Sequence, residues 1–116
     1  MKKRYRIKKN SEIDAIFKQK KVKGDSFFSV YQIDDTNELE FKYAISIGKK
    51  YGNAVSRNLA KRRIRMIILS LKKDFSKNKR FVVVVKPSAK ELEFVQMKEK
   101  LVILFKKSKL TEITHE

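Results

Sequence analysis

Residues 41–86 read FKYAISIGKKYGNAVSRNLAKRRIRMIILSLKKDFSKNKRFVVVVK, and their pattern decides the fold. The first eight alternate as a strand does. Phe41, Tyr43, Ile45 and Ile47 fall on one face, and Lys42, Ala44, Ser46 and Gly48 on the other. The second face is small and partly polar, which leaves room for something to lie close against it. Asn53 is placed to cap a helix running to about Lys73. At about 100° per residue, Ala60, Ile64, Ile67 and Leu71 share a narrow apolar stripe. Arg57, Asn58, Lys61, Arg62 and Arg65 occupy an adjacent face spanning roughly 140°. Phe81 to Val85 is a continuous apolar run, expected of a strand buried on both faces, and Pro87 stops it. Strand, helix, strand is a βαβ unit, so its two strands are expected to be parallel.

Outward from this unit the signals are shorter. Phe27 to Ile33 is rich in aromatic and β-branched residues and reads as a strand. Asp34 to Glu38 is turn chemistry, so this strand and the next are expected to form an antiparallel hairpin. Residues 1–9 form a basic leader. Asn10 or Ser11 then reads as the cap of a short helix to about Lys20, with Ile13, Ile16 and Phe17 on one face. Past Pro87, Ser88 and Glu91 read as a capping box. The helix it opens carries Phe94, Met97, Leu101, Leu104 and Phe105 on one stripe. The residues from about Ser108 to 116 are expected to fray. The order helix, strand, strand, helix, strand, helix gives a mixed sheet in an α/β (α+β) sandwich.

The whole chain, 116 residues, has the length of a single domain with its core over about 10–107. Lysine and arginine number 30 against 13 acids, a net charge of +17, yet 41% of residues are hydrophobic. That is too apolar for a disordered basic tail, and such a charge on a folded domain implies a polyanionic partner. There is no cysteine and one histidine, His115, which excludes disulfides, a thiol nucleophile and a Cys/His metal cluster. No apolar run is long enough to cross a membrane, and the basic start leads into no apolar signal region. A cytoplasmic protein is the expectation.

Chemistry concentrates in residues 41–73, which hold ten basic residues and no acid. Arginines one helical turn apart, roughly 5–6 Å, come close to the phosphate repeat of a nucleic-acid strand. Asn58 adds an amide able to bond a base edge or a 2′-hydroxyl. Solvated faces normally mix signs and this one does not. Phe17 and Tyr31 are candidates to line a groove for single-stranded nucleic acid, although composition favours ordinary core or boundary residues. Asp34, Asp35, Glu38 and Glu40 crowd a turn rather than a rigid two-metal pocket. No catalytic and no metal-binding residue is expected in this protein. The residues alone thus describe a small RNA- or DNA-binding protein.

Lys49-Lys50-Tyr51-Gly52-Asn53-Ala54-Val55-Ser56-Arg57-Asn58, followed by Lys61-Arg62 and Ile64-Arg65, resembles the signature of the bacterial ribonuclease P protein subunit. The similarity covers about residues 3–107. It includes Arg6-Ile7-Lys8-Lys9-Asn10, Phe17, Tyr31 and the Lys86-Pro87 strand exit. The resemblance implies a two-layer sandwich on a four-stranded mixed sheet, like the second domain of a small-subunit ribosomal protein, with a left-handed βαβ crossover. It implies that Arg57, Asn58, Lys61, Arg62 and Arg65 bind the catalytic ribonuclease P RNA. It assigns Phe17, Tyr31, Lys49 and Lys50 to a cleft for the 5′ leader of precursor tRNA. The partners it implies are that RNA and precursor tRNA, with no membrane and no obligate protein partner. Catalysis would belong to the RNA, using Mg²⁺, with no cofactor held by the protein.

Two positions depart from the family pattern. Leu59 stands where a basic residue is usual, so one phosphate contact is either lost or supplied by Arg63. Ile13 stands where phenylalanine is common, which weakens stacking at that end of the cleft. The alternatives are an rRNA-associated basic protein and an autonomous nuclease.

Overall fold

The structure, a computed structural model, describes residues 5–34 and 40–111. Three α-helices and four strands run in the order α1 (Asn10–Lys18), β1 (Val22–Gly24), β2 (Phe28–Asp34), β3 (Lys42–Ile47), α2 (Ala54–Ser70), β4 (Lys79–Val85) and α3 (Phe94–Lys107). The strands form one sheet in the spatial order β1-β2-β4-β3. β3 and β4 are parallel neighbours, as the βαβ reading requires. β2 pairs with β4, antiparallel, and not with β3, so the expected hairpin between β2 and β3 is not formed. The reason lies in β4. Phe81, Val82, Val83 and Val85 are all buried, and a run apolar on both faces belongs in the middle of a sheet, where it separates the other two. The hairpin that does form joins β1 to β2 through a turn in which the Asp25 carboxylate accepts from the Phe27 and Phe28 amides, at 2.7 and 2.8 Å.

Alternation sorts the sheet into two faces. Phe28, Val30, Tyr43, Phe81, Val83 and Val85 join the main core with Ala60, Ile64, Ile67 and Ile68 of α2 and Met97, Leu101, Leu104 and Phe105 of α3. On the other face Val82 meets Ile7 and Ile16, with Phe17, Tyr31, Ala44 and Val84 packed around them. The small second face of β3 is thus the face that α1 and the segment before it approach. Arg6 pairs in parallel with Tyr43, and the Ile7 amide donates to the Tyr43 carbonyl at 2.8 Å. Arg80 and Glu12 form an ion pair at 2.5 Å that fixes α1 over the start of β4. Residues 5–7 therefore belong to the packed structure, with Tyr5 and Ile7 buried, rather than to a loose leader.

Three local expectations are corrected. The residue before α1 is Lys9, extended and without a side-chain cap bond, rather than Asn10 or Ser11. Ser88 opens no α-helix: residues Pro87–Glu91 form a 3₁₀ turn, and the Ser88 hydroxyl donates to the Ser26 carbonyl. Glu93 and Gln96 supply the capping box of α3 instead, with the Glu93 amide donating to Gln96 Oε1 at 2.9 Å. Finally, residues 108–111 do not fray. Leu110 is fully buried, Ser108 and Thr111 nearly so, and Thr111 bridges to Phe75. Phe75 follows the turns that end α2 and stacks between Phe41, at 4.6 Å, and Phe81, at 5.0 Å. That aromatic column gives the last turn of chain a surface to cover. The turn residues after Asp34 and His115 lie outside the described residues.

Candidate nucleic-acid interface

α2 is set by its first turn. Asn53 caps it, its side-chain oxygen accepting from the Ser56 amide at 2.9 Å. Arg57 Nη1 donates to the Gly52 carbonyl at 2.7 Å, so this guanidinium is partly occupied in closing the loop that precedes the helix. Burial of Ala60, Ile64, Ile67 and Ile68 against the core fixes the helix rotation. Asn58 and Arg62 are then exposed, and Lys61 and Arg65 are half-buried at the β3 side. The five predicted residues share one face of an unbroken helix, and that face carries no acid. Leu59 is exposed outside this face, and Arg63, one turn on and about 40° round the helix from it, is half-buried.

Lys61 and Arg65 reach a cavity of about 140 Å³ at the β3 edge, where Arg6, Ile7 and Ile13 close the other side. Tyr43 lines it too. Its hydroxyl is buried and has no hydrogen-bond partner among the described residues. Burial pushes this phenol above its ordinary value, while Arg65 and Arg6 pull it the other way more weakly. Arg6 and Tyr43 line this cavity beside the two predicted residues, and the sequence did not single them out. Arg6 was hidden in a run of leader cations, and Tyr43 sits on a strand face that reads as core.

Phe17 and Tyr31 meet edge to face, 4.8 Å between centroids, both half-buried beside α1. They pack on the smaller core and still present ring surface to solvent, so the structural and the binding readings of these residues are compatible. Lys49 and Lys50 are exposed on the 3₁₀ turn after β3. They border a shallow pocket with Gly48, Tyr51, Val85 and Pro87 that Phe17 and Tyr31 do not enter. The predicted cleft residues thus fall into an aromatic pair and a lysine pair.

The acids are placed differently. Glu12 pairs with Arg80, Asp34 with Lys79, and Asp25 builds a turn. The hydrogen bond from Lys79 holds the Asp34 carboxyl below its ordinary value. No group of three acidic or histidine side chains able to hold a metal occurs among the described residues. No helix among them is long and apolar enough to cross a membrane.

An acid-free cationic helix beside a half-open sheet face is the build of a small basic protein that lies against a polyanion. The model of the family described as Ribonuclease P matches residues 1–109. The chain is 46% identical over 112 residues to the ribonuclease P protein component of Acholeplasma laidlawii, covering 97% of this chain and 96% of that one. It superposes on the Staphylococcus aureus RNase P protein with a TM-score of 0.87 at 32% identity, covering 93% of this chain and 98% of the other. For the Thermotoga maritima RNase P protein the TM-score is 0.79 at 25% identity, covering 88% and 96%. The chain belongs to the ribonuclease P protein family. Membership makes it a subunit of an endoribonuclease holoenzyme.

Proposed function

We propose that the chain binds the catalytic RNA of ribonuclease P through Arg57, Asn58, Lys61, Arg62 and Arg65, and holds the 5′ leader of precursor tRNA beside Phe17 and Tyr31. The observation that carries this reading is the acid-free face of α2, whose rotation the buried Ala60, Ile64 and Ile67 fix. Guanidinium groups on a rigid helix neutralise phosphates without adjusting to them, and this lowers repulsion between two RNA chains brought together. The aromatic pair offers ring faces to unstacked bases, and Lys49 and Lys50 offer charge further along the sheet. Bond cleavage and Mg²⁺ belong to the RNA in this reading, since Glu12 and Asp34 serve ion pairs and Asp25 a turn. The protein works where RNase P RNA and precursor tRNA meet, in the cytoplasm.

The test is cleavage of precursor tRNA at low Mg²⁺ by ribonuclease P RNA, with and without the protein, and by the protein alone. Cleavage that the protein stimulates only when the RNA is present supports the reading. Equal cleavage with and without the protein refutes it.

A further inference from the structure

At the β1 edge of the sheet, opposite the β3 edge that carries Lys61, Arg65 and Arg6, lies a groove of about 550 Å³. Six lysines line it: Lys20, Lys21, Lys23, Lys79, Lys107 and Lys109. Asp34 pairs with Lys79, which leaves the other five to set the charge of the groove. Arginine and aromatic side chains are absent from its lining.

The backbone at the groove is unusual in a way that points to the lysines. Lys20 has φ 56° and Lys109 φ 59°, the two non-glycine residues with positive φ among those described. Each follows the residue that ends a helix, Gln19 after α1 and Ser108 after α3. This left-handed position is where glycine or asparagine ordinarily ends a helix without strain. Attraction of lysine to the helix C-terminus does not account for the choice. Lys18 in α1 and Lys106 and Lys107 in α3 already occupy the last turns with ordinary backbone. Two strained positions therefore carry lysines into one groove.

The floor is polar and incompletely bonded. Gln32 is 2% exposed and donates through Nε2 to the Ser108 carbonyl at 2.6 Å. The Ser108 hydroxyl is also buried and has no partner among the described residues.

We propose that this groove is a second RNA-binding site, one that takes the phosphate backbone of a base-paired segment while α2 engages RNA at the other edge. Ammonium groups act as point charges and read no base. Without aromatic rings there is nothing to hold splayed single-stranded bases, whereas a duplex presents its phosphates outward. An anionic membrane is the poorer fit, because Val22 is the one apolar side chain in the lining. The two edges lie three strand spacings apart, about 14 Å, enough for separate segments of a folded RNA to sit on each.

The experiment measures binding of the full chain to a short blunt RNA duplex across a salt series. It compares the native protein with a Lys20→Gln/Lys23→Gln/Lys109→Gln variant and a Lys20→Gly/Lys109→Gly variant. Loss of three phosphate contacts lowers the steepness of log K against log salt by about 2–3 and weakens binding by about tenfold or more at moderate salt. The glycine variant relieves both left-handed positions, so it is expected to melt no lower than the native protein and still to bind the duplex less tightly. Should the glutamine variant unfold, the glycine variant decides alone. Native affinity and native salt slope in a folded variant overturn the proposal. So does a loss confined to phosphatidylserine vesicles run in parallel, which assigns the lysines to a membrane. The outcome does not depend on precursor tRNA processing, so it stands or falls apart from the α2 and leader assignments.

Discussion

The rings of Phe17 and Tyr31 meet at 87°, one carried by α1 and the other by β2, so a helix and a strand with β1 between them in the chain share one aromatic corner. The contact both closes the smaller core and leaves each ring half-exposed. Phe17→Ala removes a stacking surface for which one base contact contributes about 1–3 kcal/mol. The expected result is weaker binding of precursor tRNA to the reconstituted holoenzyme, little change for mature tRNA, and intact assembly with the catalytic RNA. Full burial of phenylalanine would make truncation cost about 3–5 kcal/mol of stability, and half-burial puts Phe17 below that range. Thermal unfolding of the variant separates the two effects. Equal loss for precursor and mature tRNA in a folded variant returns Phe17 to a packing role.

Arg57 and Arg62 share a helix face and differ in attachment. Arg57 donates to the Gly52 carbonyl, whereas Arg62 is exposed. Arg62→Ala is expected to weaken assembly with ribonuclease P RNA and leave the melting temperature unchanged. Arg57→Ala is expected to weaken assembly and also to lower the melting temperature, because a hydrogen bond from a charged donor contributes about 1.5–3 kcal/mol. A filter-binding assay and a thermal melt on each variant check the contrast. A melting temperature equally unchanged in both would remove the structural role given to Arg57.

The Tyr43 hydroxyl is buried without a partner and its ionisation is pushed upward by burial. The folded chain then holds this proton at a pH where the unfolded chain releases it. Folding stability is therefore expected to fall as pH rises above 10.0, the ordinary tyrosine value. Tyr43→Phe is expected to fold as stably as the native protein at neutral pH, or more so, since it deletes an unsatisfied group. Its urea midpoint should decline less between neutral and alkaline pH. An identical decline in both proteins would show that the phenol is not held neutral by the fold.

Much of the architecture was legible because residues 41–86 combine two periods in series. The alternation of Phe41 to Ile47 and the unbroken Phe81–Val85 run specify parallel partners, and the Asn53 cap starts α2 where it was read. The pairing of β2 was misread because a turn after Asp34 says where a chain reverses, not which strand it then joins. β1 escaped notice because Val22, Lys23 and Gly24 are all exposed, so no burial pattern marks them. Gly24 relieves crowding there, since a Cβ would come 2.8 Å from the Ser29 hydroxyl and 3.1 Å from the Phe28 carbonyl. On the candidate site, spacing alone placed the α2 face, but nothing local linked Arg6 to Arg65. That link runs through the edge of β3 and is a product of tertiary structure.

The chain after α3 illustrates the same limit and gives a stability test. Leu110 is fully buried, its amide donates to the Phe105 carbonyl at 3.0 Å, and its carbonyl accepts from Ser76 at 2.9 Å. Leu110→Ala is expected to cost about 2–5 kcal/mol, the range for a buried leucine in a packed core. Chemical denaturation reads this directly. A loss near zero would mean that the segment frays in solution as its position near the end of the chain suggested.

Asp34 decides between a binding subunit and a nuclease in its own right. Its carboxylate receives a hydrogen bond from Lys79, at 2.5 Å, and that bond is the chief cause of its lowered pKa. A folded pKa below 3.8 means that the pair adds stability above that pH and loses it as the solution is acidified through the folded value. The side chain is half-exposed, so the contribution is small. Two-metal hydrolysis needs several carboxylates converging on one pocket, and Asp34 is instead engaged with a lysine at the end of β2. Purified protein is therefore expected to leave precursor tRNA uncut at every Mg²⁺ concentration. Asp34→Ala is expected to support cleavage by ribonuclease P RNA at the native rate. Cleavage by the protein alone that Asp34→Ala abolishes would place the active centre in this chain and reverse the division of labour between protein and RNA.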